Sequence, residues 1–446
     1  MMAHFDRSAV QIPSGRENAL VPSGDEAQPR AGCAQDLRGR TAFDALVLDA
    51  RLRQSLATVR SLGRRGLSVA ALEVSRDVPA FSSRWCQQAS VCPVDLGTDG
   101  YLACLEQLLG RAGARVLIPG HDGTIALLLR YRARVEQRAR IALAKEPAMA
   151  IAVSKERTLA VASKLGLRMP RGLVVRTVTE VPAAVREIGL PAVVKPSESW
   201  LCGGQKGTRV VSRLVTTSEE ALRAVAELTR FGGVVLFQQL LSGRREAVSF
   251  LYANGEMHAR FAQWAKRMSP PLGGESVLRQ SIAVPADTGD QAERLVREIE
   301  LEGYSEVEFR RDADGRAYLM EINPRLSASV EIAVRCGVDF PYLLYQWASG
   351  GPIDRVRSYR TGAWMRYLRG DLMTTIAALQ QRGRPGVTPP VPAVLGFALS
   401  FFKPMAYDYL DWKDLLPALS AASDFTRYAA RTVTRGNLSR LKKNFA

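Results

Sequence analysis

Residues 306–326, EVEFRRDADGRAYLMEINPRL, restrict the fold more than any other stretch of this chain. Apolar and polar residues alternate over 307–312 and 316–323, which predicts two half-buried strands. Asp314-Gly315 between them is a strong signal for a two-residue hairpin turn, because both turn positions need positive φ. The sequence therefore predicts an antiparallel hairpin whose apolar face points into a core.

The predicted turn places two like charges opposite each other. In that register Glu308 pairs with Glu321, and Asn323 lies on the same face because side chains alternate along a strand. Directly opposed carboxylates destabilise a sheet unless a cation lies between them. Two carboxylates and an amide oxygen are ligands that Mg²⁺ takes alongside water and substrate phosphates. The alternative is a pair of solvated surface glutamates in a slightly different register.

The composition describes a protein of several domains that contains few residues for metal or thiol chemistry. A chain of 446 residues suits two to four domains. The six cysteines show no metal-type spacing, which is typical of free thiols in a cytoplasmic protein. Three histidines argue against a His-rich metal site or a His-centred triad. Residues 1–40 contain no apolar signal segment, and we expect them to form a disordered leader.

Residues 41–150 follow the pattern of a parallel α/β domain. An apolar strand at 43–50, a helical stretch at 54–65 and a second strand at 67–73 form a βαβ unit. The strand RVLIPG at 115–120 comes after a further helix. The sequence predicts a small doubly wound parallel sheet here, and the absence of a GxGxxG motif gives no reason to expect a dinucleotide site.

The rest of the chain divides into three further segments. Residues 151–236 alternate helices and strands and carry a glycine-rich loop, SESWLCGGQKG, at 197–207. Residues 237–354 begin with the apolar segment FQQLLSG and contain the opening hairpin. Residues 355–446 are basic and mostly helical in pattern.

Two lysines are placed where phosphate could be bound. Lys195 ends a buried strand just before the loop that contains Gly203, Gly204 and Gly207, whose backbone N–H groups could close over phosphate oxygens. Lys155 lies in the first turn of a helix, where the helix dipole disfavours a cation. The alternative for Lys195 is an incidental lysine beside an exposed hairpin.

His121 and Asp122 follow the strand that ends at residue 120. They either face the cleft of the α/β domain or serve the following helix, 123–130. Asp122 is a common residue type at a helix N-cap, and we favour that structural role for it.

Taken in order, these motifs resemble the ATP-grasp superfamily over roughly residues 45–350. The resemblance is carried by VVKP, CGGQKG, FQQLLSGRREAVSF, VEFRRD and MEINPRLSAS. SLATVRSLGRRGLSV, together with FSSRW, is similar to the N-terminal domain of predicted ATP-grasp carboligases, the carboxylate–amine ligase-like group. The resemblance implies an ATP-grasp fold, with two α+β lobes that clamp ATP, between the parallel-sheet domain and a helical C-terminal extension.

The resemblance also implies roles for individual residues. Lys155, Lys195 and the loop glycines would contact the nucleotide phosphates, and Glu308, Glu321 and Asn323 would bind Mg²⁺ or Mn²⁺. Adenine would lie against Gln238, Gln239, Leu240 and Leu241, Glu246 would bind the ribose hydroxyls, and Arg325 with Lys195 would act in catalysis. The sequence departs from many family members at Gln238-Gln239, where an acidic residue is common, and its loop is less glycine-rich than that of biotin-carboxylase-like members.

The expected reaction is an ATP-dependent ligation of a carboxylate to an amine through an acyl phosphate. Residues 265–279 are expected to face the acceptor substrate. Lys266, Arg267 and Arg279 could bind a carboxylate, and Gly274 with Ser276 could form an anion nest. The alternative is an ordinary lid loop with solvated charges.

Two other functions stay open: an ATP-grasp kinase that phosphorylates a hydroxyl, and a non-catalytic ATP-binding regulatory protein. The last 22 residues hold six basic and no acidic residues and could make weak contact with an anionic membrane surface. The alternative is a helical subdomain packed on the ligase body. No nucleic-acid partner is expected, a homodimer is left open, and the sequence does not identify either small-molecule substrate.

Overall fold

The computed structural model describes residues 43–92, 97–198, 200–201, 208–209, 212–230, 233–271 and 273–434. The predicted leader, the loop glycines Gly203, Gly204 and Gly207, and the last twelve residues of the basic tail lie outside these ranges.

The first domain is a five-stranded parallel sheet, and the predicted doubly wound fold is confirmed. Its strands are β1 (Phe43–Val47), β2 (Val69–Glu73), β3 (Gln88–Val91), β4 (Ala114–Ile118) and β5 (Arg140–Ile141), in the spatial order β3-β2-β1-β4-β5. Its helices are α1 (Arg53–Arg64), α2 (Gly97–Ala112), α3 (Asp122–Arg130) and α4 (Arg132–Val135). The strand order reverses between β1 and β4, so their carboxyl ends form the crevice where such sheets bind ligands.

The second sheet has four strands in the order β10-β7-β11-β6. It follows α5 (Ala148–Ala152) and α6 (Lys155–Lys164), and consists of β6 (Gly172–Val175), β7 (Ala192–Pro196), β10 (Arg213–Val215) and β11 (Val235–Gln239), with helices α7 (Val181–Ile188) and α8 (Ser218–Thr229). The two-residue strands β8 (Trp200–Leu201) and β9 (Thr208–Arg209) pair on either side of the predicted glycine loop.

The third sheet has seven strands in the order β16-β15-β12-β13-β14-β17-β18. They are β12 (Arg245–Ala253), β13 (Glu256–Ser269), β14 (Glu275–Ile282), β15 (Gly303–Arg311), β16 (Ala317–Asn323), β17 (Trp364–Arg366) and β18 (Ala406–Tyr407). The helices α9 (Ala286–Glu298), α10 (Glu331–Cys336) and α11 (Phe340–Ser349) occur in the same part of the chain. The segment after β11 leads directly into β12, so FQQLLSG joins the second sheet to the third.

The hairpin formed by β15 and β16 differs from the prediction in two ways, and the two differences cancel in the register. Its loop spans three residues, 313–315, and ends at Gly315 with φ +79°, instead of the predicted two-residue turn. A β-bulge then leaves Met320 without a partner on β15, which restores the register beyond it. Glu308 is therefore opposite Glu321, as predicted.

One apolar core joins the parallel sheet to the third sheet. Val47 of β1 and Leu62 of α1 belong to the same buried cluster as Phe340 and Leu343 of α11 and Phe261 of β13. Burial of apolar surface contributes roughly 25 cal/mol per Å². The shared core fixes the loops that follow β1 and β4 against the third sheet.

The C-terminal extension is more than the predicted set of helices. Besides α12 (Leu368–Gln380), α13 (Pro390–Leu399) and α14 (Leu416–Thr434), it supplies β17 and β18 to the third sheet. Arg60 of α1 is fully buried and donates from Nε to Asp414 at 2.9 Å. Among the residues described, no helix is long and apolar enough to cross a membrane. The described extension is thus integrated into the fold.

Candidate active site

Three glutamates share one face of the third sheet. Cross-strand register places Glu308 between Glu321 on β16 and Ala247 on β12. Glu306, two residues earlier, lies on the same face and pairs with Asn323. Like charges at this spacing repel each other, so the face needs cations to be stable.

Cationic side chains bind two of these carboxylates directly. Lys155, at the start of α6, places its Nζ 3.0 Å from Oε2 of Glu321. Arg245 on β12 donates to both oxygens of Glu308, from Nε at 2.8 Å. Asn323 donates from Nδ2 to Oε1 of Glu308 at 3.0 Å. Although burial opposes the effect, Lys155 and Lys195 lower the pKa of Glu321, which stays ionised at neutral pH.

The pKa of Lys195 is lowered toward neutral pH. Its pKa is lowered from 10.5 to about 8, mainly by burial and also by the nearby Lys155, while Glu321 acts in the opposite direction. The residue lies on β7, opposite Leu236 of β11. A lysine with this pKa is mostly charged at neutral pH, and an added anion would favour the charged form.

Arg325 connects the third sheet to the parallel-sheet domain. It donates from Nε and Nη2 to the two oxygens of Asp122, the second at 3.2 Å. Against the effect of burial, Asp122 raises the pKa of Arg325. The predicted N-cap role of Asp122 is wrong: His121 caps α3 by accepting from the backbone N–H of Gly123 at 3.1 Å. Asp122 instead forms an ion pair with Arg325, to which the family resemblance assigned a catalytic role.

A small cavity of about 80 Å³ lies where these elements meet. Its lining includes Asp122, Lys155, Glu321 and Asn323. The parallel-sheet domain, the start of α6 and the hairpin therefore all contribute side chains to one site.

Sequence reasoning missed Glu306. It is 2% exposed, and burial together with Glu308 raises its pKa. Gln263 donates from Nε2 to its Oε2 at 3.2 Å, and the Ser249 hydroxyl lies 3.4 Å from the same oxygen. The signal was available, because Glu306 and Glu308 are two residues apart on one predicted strand.

A buried hydroxyl network fixes the loop that follows Asn323. Gln263 donates from Nε2 to the Ser329 hydroxyl at 2.7 Å, and Ser329 lies 3.1 Å from Ser327. Tyr304 donates to Ser327 at 3.3 Å and to Ser249 at 3.1 Å. These contacts connect Glu306 to the segment that carries Arg325, so both are held by the same set of hydrogen bonds.

Two arginines that the sequence did not predict complete the charged face. Arg245 pairs across the strands with Arg310, on the face of Glu308. Burial and then Arg245 lower the pKa of Arg310, which donates from Nη1 to the Leu241 carbonyl at 3.1 Å. The alternation of side chains along the strand that contains RREAV would have placed Arg245 on this face. Its pairing with Glu308 depends on contacts distant in sequence.

The predicted adenine segment, Gln238, Gln239, Leu240 and Leu241, connects the second sheet to the third. Gln238 is 3% exposed, and its Oε1 is buried without a hydrogen-bond partner among the described residues. Gln239 accepts from Nε of Arg171 at 3.0 Å. An adenine contact here stays a prediction.

The predicted ribose contact of Glu246 is wrong. Glu246 pairs with Phe309 and Trp264, so it lies on the opposite face of the sheet from Glu308. It is 1% exposed and accepts from Arg244 and Arg311. A ribose hydroxyl would have to compete with the charge-assisted hydrogen bonds that these two arginines donate, each stronger than a neutral one.

The predicted substrate arginines are structural. Arg267 donates from Nη2 to Asp371 at 2.6 Å and to Ser400 at 2.8 Å. Arg279 is fully buried and forms an ion pair with Asp408. Both aspartates belong to the C-terminal extension, so neither arginine is available to a substrate carboxylate.

The other predicted substrate contacts are also not brought together as a binding site. Gly274 has φ +112°, and a Cβ there would lie 2.4 Å from the Ser269 carbonyl, so it is needed for a tight turn. Ser276 is 4% exposed, and its hydroxyl is buried without a hydrogen-bond partner among the described residues. Lys266 is exposed, with Nζ 5.8 Å from the centre of the Trp364 ring. The predicted anion nest does not form at these positions.

The donor set on this face fits a magnesium–nucleotide complex better than an all-protein metal cage. Within the described ranges, no group of three or more His, Cys, Asp or Glu side chains is arranged to hold a metal. Glu308, Glu321 and the amide oxygen of Asn323 are the hard oxygen donors that Mg²⁺ uses when substrate phosphates and water supply its remaining ligands. The cations now bound to both carboxylates show that this face requires positive charge.

The fold is the ATP-grasp fold. Residues 236–370 match the family model described as "ATP-grasp in the biosynthetic pathway with Ter operon". An ADP complex of N5-carboxyaminoimidazole ribonucleotide synthetase superimposes with a TM-score of 0.59 at 14% identity, covering 82% of this chain and 97% of that one. At this identity the likeness establishes the fold alone.

Curated relatives give a closer comparison. The chain is 27% identical over 215 residues to the D-alanine–D-alanine ligase of Pseudomonas entomophila, covering 44% of this chain and 64% of that enzyme, just under two thirds. It is 27% identical over 309 residues to the D-alanine–D-alanine ligase of Geobacter sulfurreducens, covering 65% of this chain and 85% of the relative. Its similarities therefore lie with the ATP-grasp carboxylate–amine ligases.

Proposed function

We propose that the protein is an ATP-dependent ligase that activates a carboxylate as an acyl phosphate and joins it to an amine, releasing ADP and phosphate. One observation carries the proposal: Glu308 and Glu321 are opposed in register beside Asn323, and cationic side chains surround them. This arrangement suits a polyphosphate with its divalent cation. Similarity to D-alanine–D-alanine ligases supports formation of a C–N bond.

Glu308, Glu321 and Asn323 would hold Mg²⁺ or Mn²⁺. When bound, the metal would offset the negative charge of the nucleotide phosphates. Lys155 would then exchange Glu321 for a phosphate oxygen, and Arg245 would move its charge from Glu308 toward the phosphates. The ion pairs of the structure thus keep the cations in place until the substrate arrives.

The chemistry requires activation because hydroxide is a poor leaving group from a carboxylate. Transfer of the γ-phosphoryl group gives an acyl phosphate, whose phosphate can leave when the amine attacks the carbonyl carbon. The protein contributes mainly position and charge. Arg325, fixed by Asp122, and Lys195 would stabilise the negative charge on the transferring group.

The nucleotide contacts complete the proposal. The backbone of Gln239–Leu241 would hold adenine between the two sheets. The loop that contains Gly203, Gly204 and Gly207 would close over the phosphates and keep water from the acyl phosphate.

The test measures ADP release with Mg²⁺-ATP over pools of carboxylates and amines, and repeats the positive pools with hydroxylamine in place of the amine. A ligase should release ADP when carboxylate and amine are both present, and should form a hydroxamate with hydroxylamine. Glu321→Gln should reduce both signals at least about a hundredfold, because the charge stabilisation at the phosphates is lost. Glu298→Gln, at an exposed position of α9, is the matched control and should behave as wild type.

Other outcomes would assign another function. ADP release with an alcohol, giving a phosphorylated product and no hydroxamate, would mark a kinase. ATP binding without ADP release in any pool would favour a regulatory ATP-binding protein.

A further inference from the structure

A second and much larger cavity lies between the parallel-sheet domain, the third sheet and the C-terminal extension. Its volume is about 1010 Å³. Sites for drug-sized ligands occupy roughly 300–1,000 Å³, so this cavity could hold a ligand far larger than a single small amino acid. It does not share lining residues with the small cavity beside Lys155 and Glu321.

The wall of this cavity is mostly apolar. Leu372 of α12 and Phe425 and Ala421 of α14 line it from the extension, together with Phe397 and Phe401. Charged side chains such as Asp77, Glu275 and Arg369 also line the cavity, but most of its surface is apolar. A mostly apolar surface favours a ligand with an aryl or alkyl body.

The buried arginines of the wall are largely paired, and one donor is left over. Arg53 pairs with Asp408 at 3.1 Å, and Arg366 donates from Nε to Asp371 at 2.6 Å. Arg366 is fully buried between the Phe397 and Phe401 rings, with ring centres 4.4 and 4.3 Å from its Cζ. Its Nη1 has no hydrogen-bond partner in the part of the chain described. Because Arg366 is fully buried, this nitrogen is not exposed to a ligand in the cavity, and it offers no hydrogen bond there.

The large cavity lies beside two segments that contribute to the candidate active site. Ala328 lines the cavity in the loop that begins after Asn323 and carries Arg325. Gln54 also lines it and donates from Nε2 to the carbonyl of Gly120 at 2.8 Å, directly before the segment that carries Asp122. The cavity therefore adjoins the segments that carry Arg325 and Asp122.

We propose that this cavity binds the apolar body of one ligase substrate, a carboxylate or an amine with an aryl or long alkyl group. The inference rests on the proposed ligase function and adds a substrate class to it. The extension, through α12, α13 and α14, would then select the substrate by size and polarity.

The test is a binding series on the full chain in the presence of Mg²⁺ and a non-hydrolysable ATP analogue. Straight-chain carboxylates from acetate to dodecanoate and primary amines from methylamine to dodecylamine are titrated by calorimetry below their micelle concentrations. Affinity should rise about fourfold for each added CH₂ that is buried. A rise in the carboxylate series alone assigns the apolar body to the acyl substrate, and a rise in the amine series alone assigns it to the acceptor.

Ala421→Trp should fill part of the cavity and weaken binding of the long-chain members at least about tenfold, since two or more CH₂ groups lose their place. Ala398→Trp is the matched control, because Ala398 is exposed on α13 outside the cavity lining, and it should bind as wild type. If Ala421→Trp does not fold, Ala422→Trp repeats the test from a more exposed position of the same wall.

Affinity that does not rise with chain length in either series would overturn the inference. So would a rise that Ala421→Trp leaves unchanged, or that Ala398→Trp abolishes, because binding would then occur at the exposed apolar surface. ADP release from small substrates alone, unchanged in Ala421→Trp, would keep the ligase and remove this substrate class. Chain-length-dependent binding without ADP release would support the cavity and count against the ligase.

Discussion

Two sets of ion pairs lie on the third sheet, and they differ in what surrounds them. In the site, the side chains of Lys155 and Glu321 are 10% and 28% exposed. Where β14 meets the extension, the side chains of Arg279 and Asp408 are 0% and 1% exposed. A fully buried pair can exchange partners only at a large cost in free energy, whereas a partly exposed pair can be broken by an incoming anion and cation. Ion pairs therefore stabilise the fold in one place, and in the other they hold charged side chains that can bind a ligand.

The largest effect is expected when one partner of the buried ion pair is removed. Asp408→Ala leaves Arg279 without its carboxylate and deprives Arg53 of one of two partners. We expect the free energy of unfolding, measured by urea denaturation, to fall by about 3–5 kcal/mol, because a buried charge loses its compensation.

Asp424→Ala is the control for that change. Asp424 pairs with Arg369 at 3.3 Å, and both side chains are more than a third exposed. Its loss should cost no more than about 1 kcal/mol. Equal destabilisation by the two substitutions would show that the Arg279–Asp408 pair is not a structural anchor.

In the site, Arg325→Ala should lower kcat by about a hundredfold to a thousandfold, as expected when one donor to a developing negative charge is removed. Arg325→Lys should recover only part of the rate, because lysine keeps the charge but not the two-nitrogen geometry that contacts Asp122. Steady-state kinetics measure the effect, with the substrates that the ADP-release test identifies. Arg316→Ala, on the exposed side of the same hairpin, should retain wild-type kcat. A normal kcat in Arg325→Ala would remove this residue from the catalytic group.

The smallest expected effect is on the pH dependence of ATP binding. Lys195 has a pKa of about 8 in the folded protein, below its ordinary 10.5, so it loses its charge as the pH rises through 8. ATP affinity should then fall by up to about tenfold per pH unit. Lys195→Arg should bind ATP with little change over this range. Glu321→Gln should move the midpoint to lower pH, since Glu321 favours the charged lysine.

The effect of rising pH on folding stability is opposite to its effect on ATP affinity. Between pH 8 and 10.5 the unfolded chain binds more protons at Lys195 than the folded chain does, so this residue makes stability rise with pH across that window. Titrating ATP affinity and urea stability in parallel separates the two effects. A wild-type ATP affinity that stays constant from pH 7 to 9 would contradict the assignment of Lys195 to the phosphates.

The hairpin could be predicted because its information is local. The opposition of Glu308 and Glu321 depends on one turn and two short strands, and even the errors in turn length and bulge cancelled. Glu306 required only that the same alternation be followed two residues further. The ATP-grasp fold could also be predicted, because its motifs occur in a fixed order along the chain.

The structural role of the arginines predicted to bind substrate could not be read from the sequence, because their partners are distant along the chain. Arg267 and Arg279 meet Asp371 and Asp408, more than a hundred residues away, only because β17 and β18 continue the third sheet. Glu246 failed for a different reason: a one-residue difference along a strand moves a side chain to the opposite face.

The contact between Arg60 and Asp414 has a consequence for the order of synthesis. Arg60 belongs to the first helix, and its carboxylate partner is made 354 residues later. Because domains tend to fold from the N-terminus as they emerge from the ribosome, the nascent parallel sheet must carry an arginine whose final partner does not yet exist. The packing of α1 can be completed only after the C-terminal extension has been translated. Ribosome-bound chains that stop before residue 414 should therefore be far more sensitive to protease at α1 than the released protein.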